Sequence, residues 1–149
     1  MIEFAIVMVL LLSMAAGIFA FGRAFWYADA LTKATRDGAR LLSTWPKASI
    51  ASAGVGQARR MTALSANDAK ISPQLDPTAS SGLYVKVACL KSDFTPDVCT
   101  DGVAPSNVSV SVNGFSIQLG EWFPFVDTTG VNNASTLNLA PHTTMRYTN

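Results

Sequence analysis

Few side chains in this sequence of 149 residues have the type and spacing that chemistry at a protein site requires. The one histidine, His142, stands beside Pro141, and a single imidazole is too little for a histidine-based metal site. The sequence contains no G-x-S-x-G nucleophile motif, no P-loop and no G-x-G-x-x-G pattern. We therefore predict that this protein is not an enzyme and has no catalytic residues, no cofactor and no metal site.

The two cysteines, Cys89 and Cys99, are ten residues apart. They lack the C-x-x-C spacing and the neighbouring histidine that would indicate zinc. Two thiols that flank a short loop favour a disulfide, which implies an oxidising compartment for the C-terminal part. The alternative is a pair of unlinked core cysteines.

The segment around the cysteines is acidic. Asp93, Asp97 and Asp101 recur every four residues, and carboxylate oxygens are ligands for Ca²⁺. The spacing is not that of an EF-hand loop, so we favour a solvated acidic loop over a calcium site. Further along, the aromatic stretch 121–125 favours packing between a sheet and a helix, with docking of a glycan or another subunit as the alternative.

Glu3 lies at the edge of eighteen residues, 4–21, that contain no charge. As a helix this run is roughly 27 Å long, close to the hydrocarbon thickness of a bilayer. A carboxylate at that position is expensive in lipid and indicates a charged partner, although a side chain that reaches back to the lipid headgroups is the alternative. No basic residue precedes the run and it continues into the aromatic cluster 25–27, so we predict a retained transmembrane helix and not a cleaved signal peptide.

The basic residues and the cysteines give conflicting indications of membrane topology. The basic residues that follow the apolar span would place the C-terminal part in the cytoplasm by the positive-inside rule, whereas a disulfide places it outside. These residues are Arg23, Lys33, Arg36 and Arg40. A basic N-terminal leader that has been removed would reconcile the two indications.

Charge also bears on the class of partner. Residues 1–70 carry eight Lys/Arg against four Asp/Glu, and residues 71–149 carry three against six. Neither part contains a run of five like charges, which excludes a nucleic-acid-binding footprint.

Apolar residues continue at helical spacing beyond the span and form one stripe. The stripe consists of Tyr27, Leu31, Ala34, Gly38, Leu41, Leu42 and Trp45. The opposite face consists of Asp29, Lys33, Arg36, Asp37 and Arg40. Because Pro46 is the first proline, we predict one helix of about forty residues, near 60 Å long, which divides the chain into an assembly helix, 1–45, and a small head, 46–149.

The sequence of the head predicts a mixture of helix and strand. Residues 47–70 indicate a second, weaker helix, and the period then changes from helical spacing to alternation, first in the stretch 83–89. Residues 107–119 contain Asn113-Gly114, a strong hairpin signal. Turning the chain there pairs Val112 with Phe115, Val110 with Ile117 and Val108 with Leu119. Residues 137–139 and 145–147 predict one last strand interrupted by Pro141, so the fold class is α+β, with a long N-terminal helix packed on a small antiparallel sheet.

The N-terminal pattern resembles that of type IV pilins, and more closely that of the TadE-like pseudopilins of tight-adherence (Flp-type) pilus systems. The resemblance is fairly specific over residues 2–42. The residues that carry it are Ile2-Glu3-Phe4-Ala5, Gly22-Arg23, Phe25, Tyr27, Ala30-Leu31, Ala34 and Arg36-Asp37-Gly38-Ala39-Arg40, and the ending Met145-Arg146-Tyr147 is also similar. In that family the acid lies slightly farther from the mature N-terminus than Glu3 does here.

The resemblance implies a precursor that a prepilin peptidase cuts at the cytoplasmic face of the inner membrane, with the C-terminal domain outside the cytoplasm. The mature helix then leaves the membrane with the help of an inner-membrane assembly machinery. It packs with copies of itself or with other pilins into an extracellular pilus for surface attachment. The assembly residues would be Glu3, Phe4 and Arg23, with the Glu3 carboxylate neutralising the α-amine of a neighbouring subunit. The alternative function is a membrane-anchored periplasmic binding or adhesin domain that remains a single-pass protein.

Overall fold

The structure is a computed structural model that describes residues 2–118 and 136–149. Its first element is the helix α1, Ile2–Ser43, of 42 residues. The predicted single helix that ends before Pro46 is therefore confirmed. The chain has no proline before that point to remove a backbone donor, so the hydrogen-bond ladder runs without a break from the apolar span into the head.

The second half of α1 is amphipathic, as the apolar stripe predicts. Tyr27, Leu31, Ala34 and Leu42 are buried, and the charged residues of the opposite face are exposed. On that face the Lys33 ammonium lies 2.7 Å from the Asp29 carboxylate, one helical turn away. An exposed pair of this kind stabilises the helix itself by a few tenths of a kcal/mol. The contact between α1 and the head is made by the buried stripe.

The predicted second helix over 47–70 is confirmed in its later part. The chain forms a 3₁₀ turn, Lys47–Ser49, then a π turn, Ile50–Gly54, and only then the helix α2, Val55–Asp68. At Gly54 an added Cβ would lie 2.8 Å from the Trp45 ring. Glycine is required there because the ring of Trp45 packs directly on the backbone.

Six strands complete the described chain. They are β1 (Tyr84–Leu90), β2 (Pro96–Asp97), β3 (Asn107–Asn113), β4 (Phe115–Gln118), β5 (Thr136–Leu139) and β6 (His142–Arg146). A four-stranded antiparallel sheet has the order β2-β1-β3-β6, and β4 pairs with β5 in a separate two-stranded sheet. The long helix with a small antiparallel sheet confirms the α+β class.

The predicted hairpin over 107–119 is wrong in its pairing, although the described part forms two strands. β3 has β1 on one side and β6 on the other, so neither edge of β3 is open to β4. Gly114, at φ +77°, lies so close to the carbonyl of Gly82 that an added Cβ would overlap it. The chain therefore passes from one sheet to the other at Gly114 and does not fold back. The predicted partner of Val108, Leu119, lies outside the described residues.

The prediction of one last strand is also wrong. Residues 136–139 and 142–146 form two strands that belong to different sheets, β5 beside β4 and β6 beside β3. Pro141 lies between them, and its carbonyl accepts a hydrogen bond from the Val112 N–H (3.0 Å). A proline has no N–H for a ladder, which favours a change of sheet at this position.

The head has two ends, which we name by their position along α1. At the end nearer the apolar span, the base, Trp26 donates a hydrogen bond to the Ala69 carbonyl (3.1 Å) and Tyr27 packs edge-on against Phe115. At the other end, the tip, the Tyr147 hydroxyl donates to the Trp45 carbonyl (2.6 Å). From residue 26 to residue 43, where α1 ends, the helix rises by about 26 Å at 1.5 Å per residue, so base and tip are opposite poles of the head.

Candidate assembly surface

The apolar part of α1 is the largest exposed hydrophobic surface of the described chain. Glu3–Ser43 is the one helix, among the residues described, that is long and apolar enough to cross a membrane, and none of its most apolar window is buried. The exposed large side chains include Phe4, Ile6, Val7, Leu10, Leu12, Ile18, Phe19 and Phe21. An apolar surface of this extent has to be covered by lipid or by other protein.

Glu3 and Phe4 lie in the first turn of this helix, and both are exposed. Among the residues that the structure describes, no hydrogen bond or ion pair joins Glu3 to another side chain. An acid in the first turn interacts favourably with the helix dipole, but that interaction leaves the carboxylate open to a further partner. The predicted roles of Glu3 and Phe4 in assembly stay predictions.

Arg23 lies where α1 enters the head and is held by Tyr27. Its Nε donates a hydrogen bond to the Tyr27 hydroxyl (2.9 Å), and its guanidinium carbon lies 5.2 Å from the centre of the Tyr27 ring. Tyr27 is buried and its ring meets Phe115 at a centroid distance of 5.9 Å. The structure therefore places Arg23 at the base of the head, separate from Glu3, and its role in assembly stays a prediction.

The disulfide predicted between Cys89 and Cys99 is present, with 5.1 Å between the two Cα atoms. We call residues 91–105 the tip loop. The disulfide joins Cys99 of this loop to Cys89 of β1. Asp93, Asp97 and Asp101 are all exposed, as expected for a solvated acidic loop. Within the described residues no group of three His, Cys, Asp or Glu side chains could hold a metal ion.

The tip loop is also attached to the start of the second helical region. The Asp101 carboxylate accepts hydrogen bonds from the N–H groups of Ala51 (2.6 Å) and Ser52 (3.2 Å), and the Gly102 N–H donates to the Lys47 carbonyl (2.8 Å). The two bonds to Asp101 satisfy N–H groups at the start of the π turn, which have no partner within the helix. The sequence spacing of the aspartates contained no signal for this contact, because the two segments are about fifty residues apart.

This attachment predicts a dependence of stability on acid. The Ser52 hydroxyl, followed by the two backbone N–H groups, lowers the pKa of the Asp101 carboxyl below its usual value of 3.8. A carboxylate with a lowered pKa stabilises the fold fully above its unfolded pKa, and that contribution is lost as the pH falls through the lowered value. We expect the melting temperature of the Asp101→Ala variant, measured in detergent, to lie below that of the parent at pH 6 and to approach it below pH 3.8.

A matched control is Asp93→Ala. Thr95 lowers the pKa of this carboxyl too, but its bonds stay within its own turn. We expect a smaller change in the melting temperature from this variant at pH 6. An equal change from both variants would contradict a bridging role for Asp101.

The C-terminal residues cap the end of α1. Besides the Tyr147 hydroxyl on Trp45, the Thr148 N–H donates to the Ser43 carbonyl (3.0 Å) and the Asn149 side-chain amide donates to the Thr44 carbonyl (2.9 Å). The last carbonyls of a helix receive no hydrogen bond from an N–H of the same helix. Residues 147–149 supply the missing donors at this end of α1. Burial raises the pKa of the Tyr147 hydroxyl above 10.0, so this donor keeps its proton at neutral pH.

Two candidates from the sequence remain, His142 and the aromatic stretch 121–125. His142 is the first residue of β6 and is exposed. The aromatic stretch 121–125 lies outside the described residues. The hydrogen bond from Trp26 to the Ala69 carbonyl was not predicted, although the aromatic cluster 25–27 indicated a boundary at this point of the helix.

The assembled geometry is a lipid-length apolar helix with an acid in its first turn, which continues as the buried spine of a small disulfide-bonded head. Residues 1–40 match the model of the TadE-like protein family. The match covers the apolar span and most of the spine and ends before the head, which agrees with the range over which the sequence resembles TadE-like proteins. No curated protein and no solved structure matches this chain at a significant level.

Proposed function

We propose that this protein is a pilin-like structural subunit of a Tad pilus system, inserted in the inner membrane through α1 with its head outside the cytoplasm. From there it assembles through the same helix into an extracellular filament that serves surface attachment. A prepilin peptidase and the inner-membrane assembly machinery act on it before assembly, and its partners in the filament are copies of itself or other pilins.

The observation that supports this proposal is the continuity of α1. One unbroken helix carries an unburied apolar surface at its start and a buried stripe, 24–42, in the head. A flexible linker would let the head move freely on a membrane anchor, whereas a continuous helix fixes the orientation of the head relative to the span. A fixed orientation is what a regular array of subunits requires, because each copy must repeat the same contacts.

Helix packing also explains how the span can leave lipid. Apolar side chains on α1 that contact hydrocarbon in the bilayer can contact the same side chains of neighbouring copies in a bundle. The apolar side chains are shielded from water in the bilayer and in the bundle alike. The free energy of moving the helix from lipid into the bundle therefore depends on helix packing and on the pairing of Glu3.

The test is the location of the full-length chain in the cells that produce it. We expect the chain in filaments sheared from the cell surface, visible by electron microscopy with an antibody to the head. We also expect protease added to intact spheroplasts to reach the head of the unassembled chain. Membrane fractions that retain all of the chain, with sheared filaments that contain none, would support the single-pass binding domain.

A further inference from the structure

We propose that Arg23, held by Tyr27 at the base of the head, binds the phosphate group of a membrane phospholipid in the leaflet that faces the head. The inference rests on the membrane-inserted stage of the proposed function, before α1 leaves the lipid. It adds a lipid-binding site to that stage and gives Arg23 a role that precedes assembly.

Arg23 lies at the depth where phospholipid headgroups begin. It is the first charged residue after Glu3, and the helix between the two residues rises by about 30 Å at 1.5 Å per residue. The hydrocarbon core of a typical bilayer is also about 30 Å thick. When the apolar span crosses a membrane, one of these two charges lies at each edge of the hydrocarbon, and Arg23 is at the edge nearer the head.

Tyr27 fixes the orientation of the Arg23 side chain. The Arg23 Nε donates a hydrogen bond to the Tyr27 hydroxyl (2.9 Å), and the guanidinium carbon lies 5.2 Å from the centre of the ring. Tyr27 is itself buried and packs edge-on against Phe115, so the core of the head holds the ring in place. A free arginine at a membrane surface samples many rotamers as it reaches for the headgroups. This one is oriented before a lipid arrives and loses less conformational entropy on binding.

The contact with Tyr27 leaves the other donors of the guanidinium available. Arg23 is exposed, and within the described part of the chain its Nη groups meet no carboxylate or other acceptor. The N–H bonds of a guanidinium lie in one plane and bind the oxygens of a phosphate in pairs. The Nη groups can make such a paired contact while the Nε stays on Tyr27. At the depth of Arg23 the acceptors that match this geometry are lipid phosphates.

Local geometry, and not the net charge of the base, selects this ligand. The exposed Asp29 is paired with Lys33 (2.7 Å) and lies about 9 Å farther than Arg23 from the hydrocarbon, at 1.5 Å per residue. The other exposed charges near the base, among the described residues, are two bases and two acids: Arg23, Lys70, Asp68 and Asp76. These charges cancel, so the base has no preference for acidic over zwitterionic lipids. The phosphate that both kinds of lipid carry is the group recognised.

Two exposed aromatic rings lie beside Arg23 on α1. Phe25 is 73% exposed and Trp26 is 62% exposed. The indole N–H of Trp26 is already bound to the Ala69 carbonyl (3.1 Å), so this ring offers a lipid its apolar surface. Aromatic rings are favoured at the boundary between headgroups and hydrocarbon. They are placed to contact the upper acyl chains of the lipid whose phosphate Arg23 binds.

The test is the thermal stabilisation of the purified full-length chain by added lipid, in a maltoside detergent that contains no phosphate. A ligand that binds the folded protein raises its melting temperature as the ligand concentration rises. We expect phosphatidylethanolamine and phosphatidylglycerol to raise the melting temperature of the parent equally, and a galactolipid with the same acyl chains to leave it unchanged. For Arg23→Gln we expect the apparent affinity for both phospholipids to fall about tenfold, the usual effect of losing hydrogen bonds from a charged group.

Two further variants separate lipid binding from folding. Tyr27→Phe keeps the ring and removes the hydroxyl that holds the Arg23 Nε, so we expect a lipid response between those of the parent and Arg23→Gln. Lys33→Gln removes a positive charge about 15 Å farther along α1, so we expect the response of the parent. Each response compares one variant with and without lipid, so a change in the stability of the fold itself does not enter it.

The other outcomes decide against the inference. Equal responses of the parent and Arg23→Gln would overturn it, and so would a galactolipid that stabilises the parent as well as the phospholipids do. Inorganic phosphate that stabilises the parent and displaces the phospholipids would assign Arg23 to a free anion and not to a lipid.

The lipid response and the location of the chain in filaments are measured independently. Loss of the lipid response would leave the proposed function standing. A chain with the expected lipid response that is absent from all filaments would overturn the proposed function alone. Recovery of the whole chain from cells without detergent would overturn both.

Discussion

Glu3→Ala is expected to leave the protein inserted in the membrane with its head folded, yet to remove it from filaments. In a bundle of apolar helices the Glu3 carboxylate of one copy would neutralise the α-amine of its neighbour as both leave water. Removing one member of such a pair in a low-dielectric bundle leaves an uncompensated charge, at a cost of about 3–5 kcal/mol per contact in the assembled state. The measurement is the ratio of this chain in sheared filaments to that in membranes, with the melting temperature of the head as a check on folding.

Two further variants separate pairing from other effects at the start of the helix. Glu3→Asp keeps the charge on a shorter side chain, so we expect a partial defect. Ser13→Ala removes a hydroxyl whose one bond among the described residues is to the Leu10 carbonyl of the same helix (2.9 Å), so we expect normal filaments. If the alanine variant at position 3 assembles as well as the parent, the carboxylate acts by reaching lipid headgroups, and pairing is excluded.

The second large effect is expected at Gly38, where α1 meets α2. An added Cβ would overlap the Thr62 hydroxyl and lie 3.1 Å from the Ala58 carbonyl. Thr62 is fully buried, and its hydroxyl donates to that same carbonyl (2.8 Å), so moving the hydroxyl away would break a buried hydrogen bond. We expect Gly38→Ala to lower the free energy of unfolding by about 1–3 kcal/mol, the usual cost of overpacking a core, measured by urea denaturation in detergent.

The chain supplies both a rescue and a control for this prediction. Thr62→Ala removes the overlapping hydroxyl, so the double variant should regain part of the lost stability, and the two effects should be non-additive. Gly56→Ala places a Cβ where no atom lies within 4 Å. In an exposed helical position alanine is favoured over glycine, so this variant should be as stable as the parent or more so. Equal destabilisation by Gly38→Ala and Gly56→Ala would point to a general intolerance of substitution and against the close packing of the two helices.

Local patterns in the sequence were sufficient for the features that depend on neighbouring residues. The length and lack of charge of 4–21, the apolar stripe from Tyr27 to Leu42 and the first proline at position 46 determine α1. Each depends on backbone geometry and solvation within a few turns. The disulfide could also be predicted from the sequence, because the chain has two cysteines and they flank a short loop.

Pairing between strands was not accessible in this way. Asn113-Gly114 satisfies every local rule for a hairpin, and the valines of β3 have the right alternation. Those valines are buried whether β3 pairs with β4 or with β1 and β6, so the alternation cannot distinguish the two arrangements. The choice was made by contacts between distant segments, in which Gly114 passes close to Gly82 and β6 takes the edge that β4 would have used.

The candidate assembly surface also combines features that neighbouring residues determine with features that depend on distant contacts. The sequence by itself determined an apolar helix with an acid at its start, because hydrophobicity and charge are properties of each residue. Only the tertiary structure decided which exposed residues belong together, since it placed Phe94, Val98 and Val103 on a loop braced by Asp101 at one pole. At the other pole it attached Trp26 to the Ala69 carbonyl at the end of α2. Proximity in space depends on the summed packing of the whole head, and no spacing along the chain encodes it.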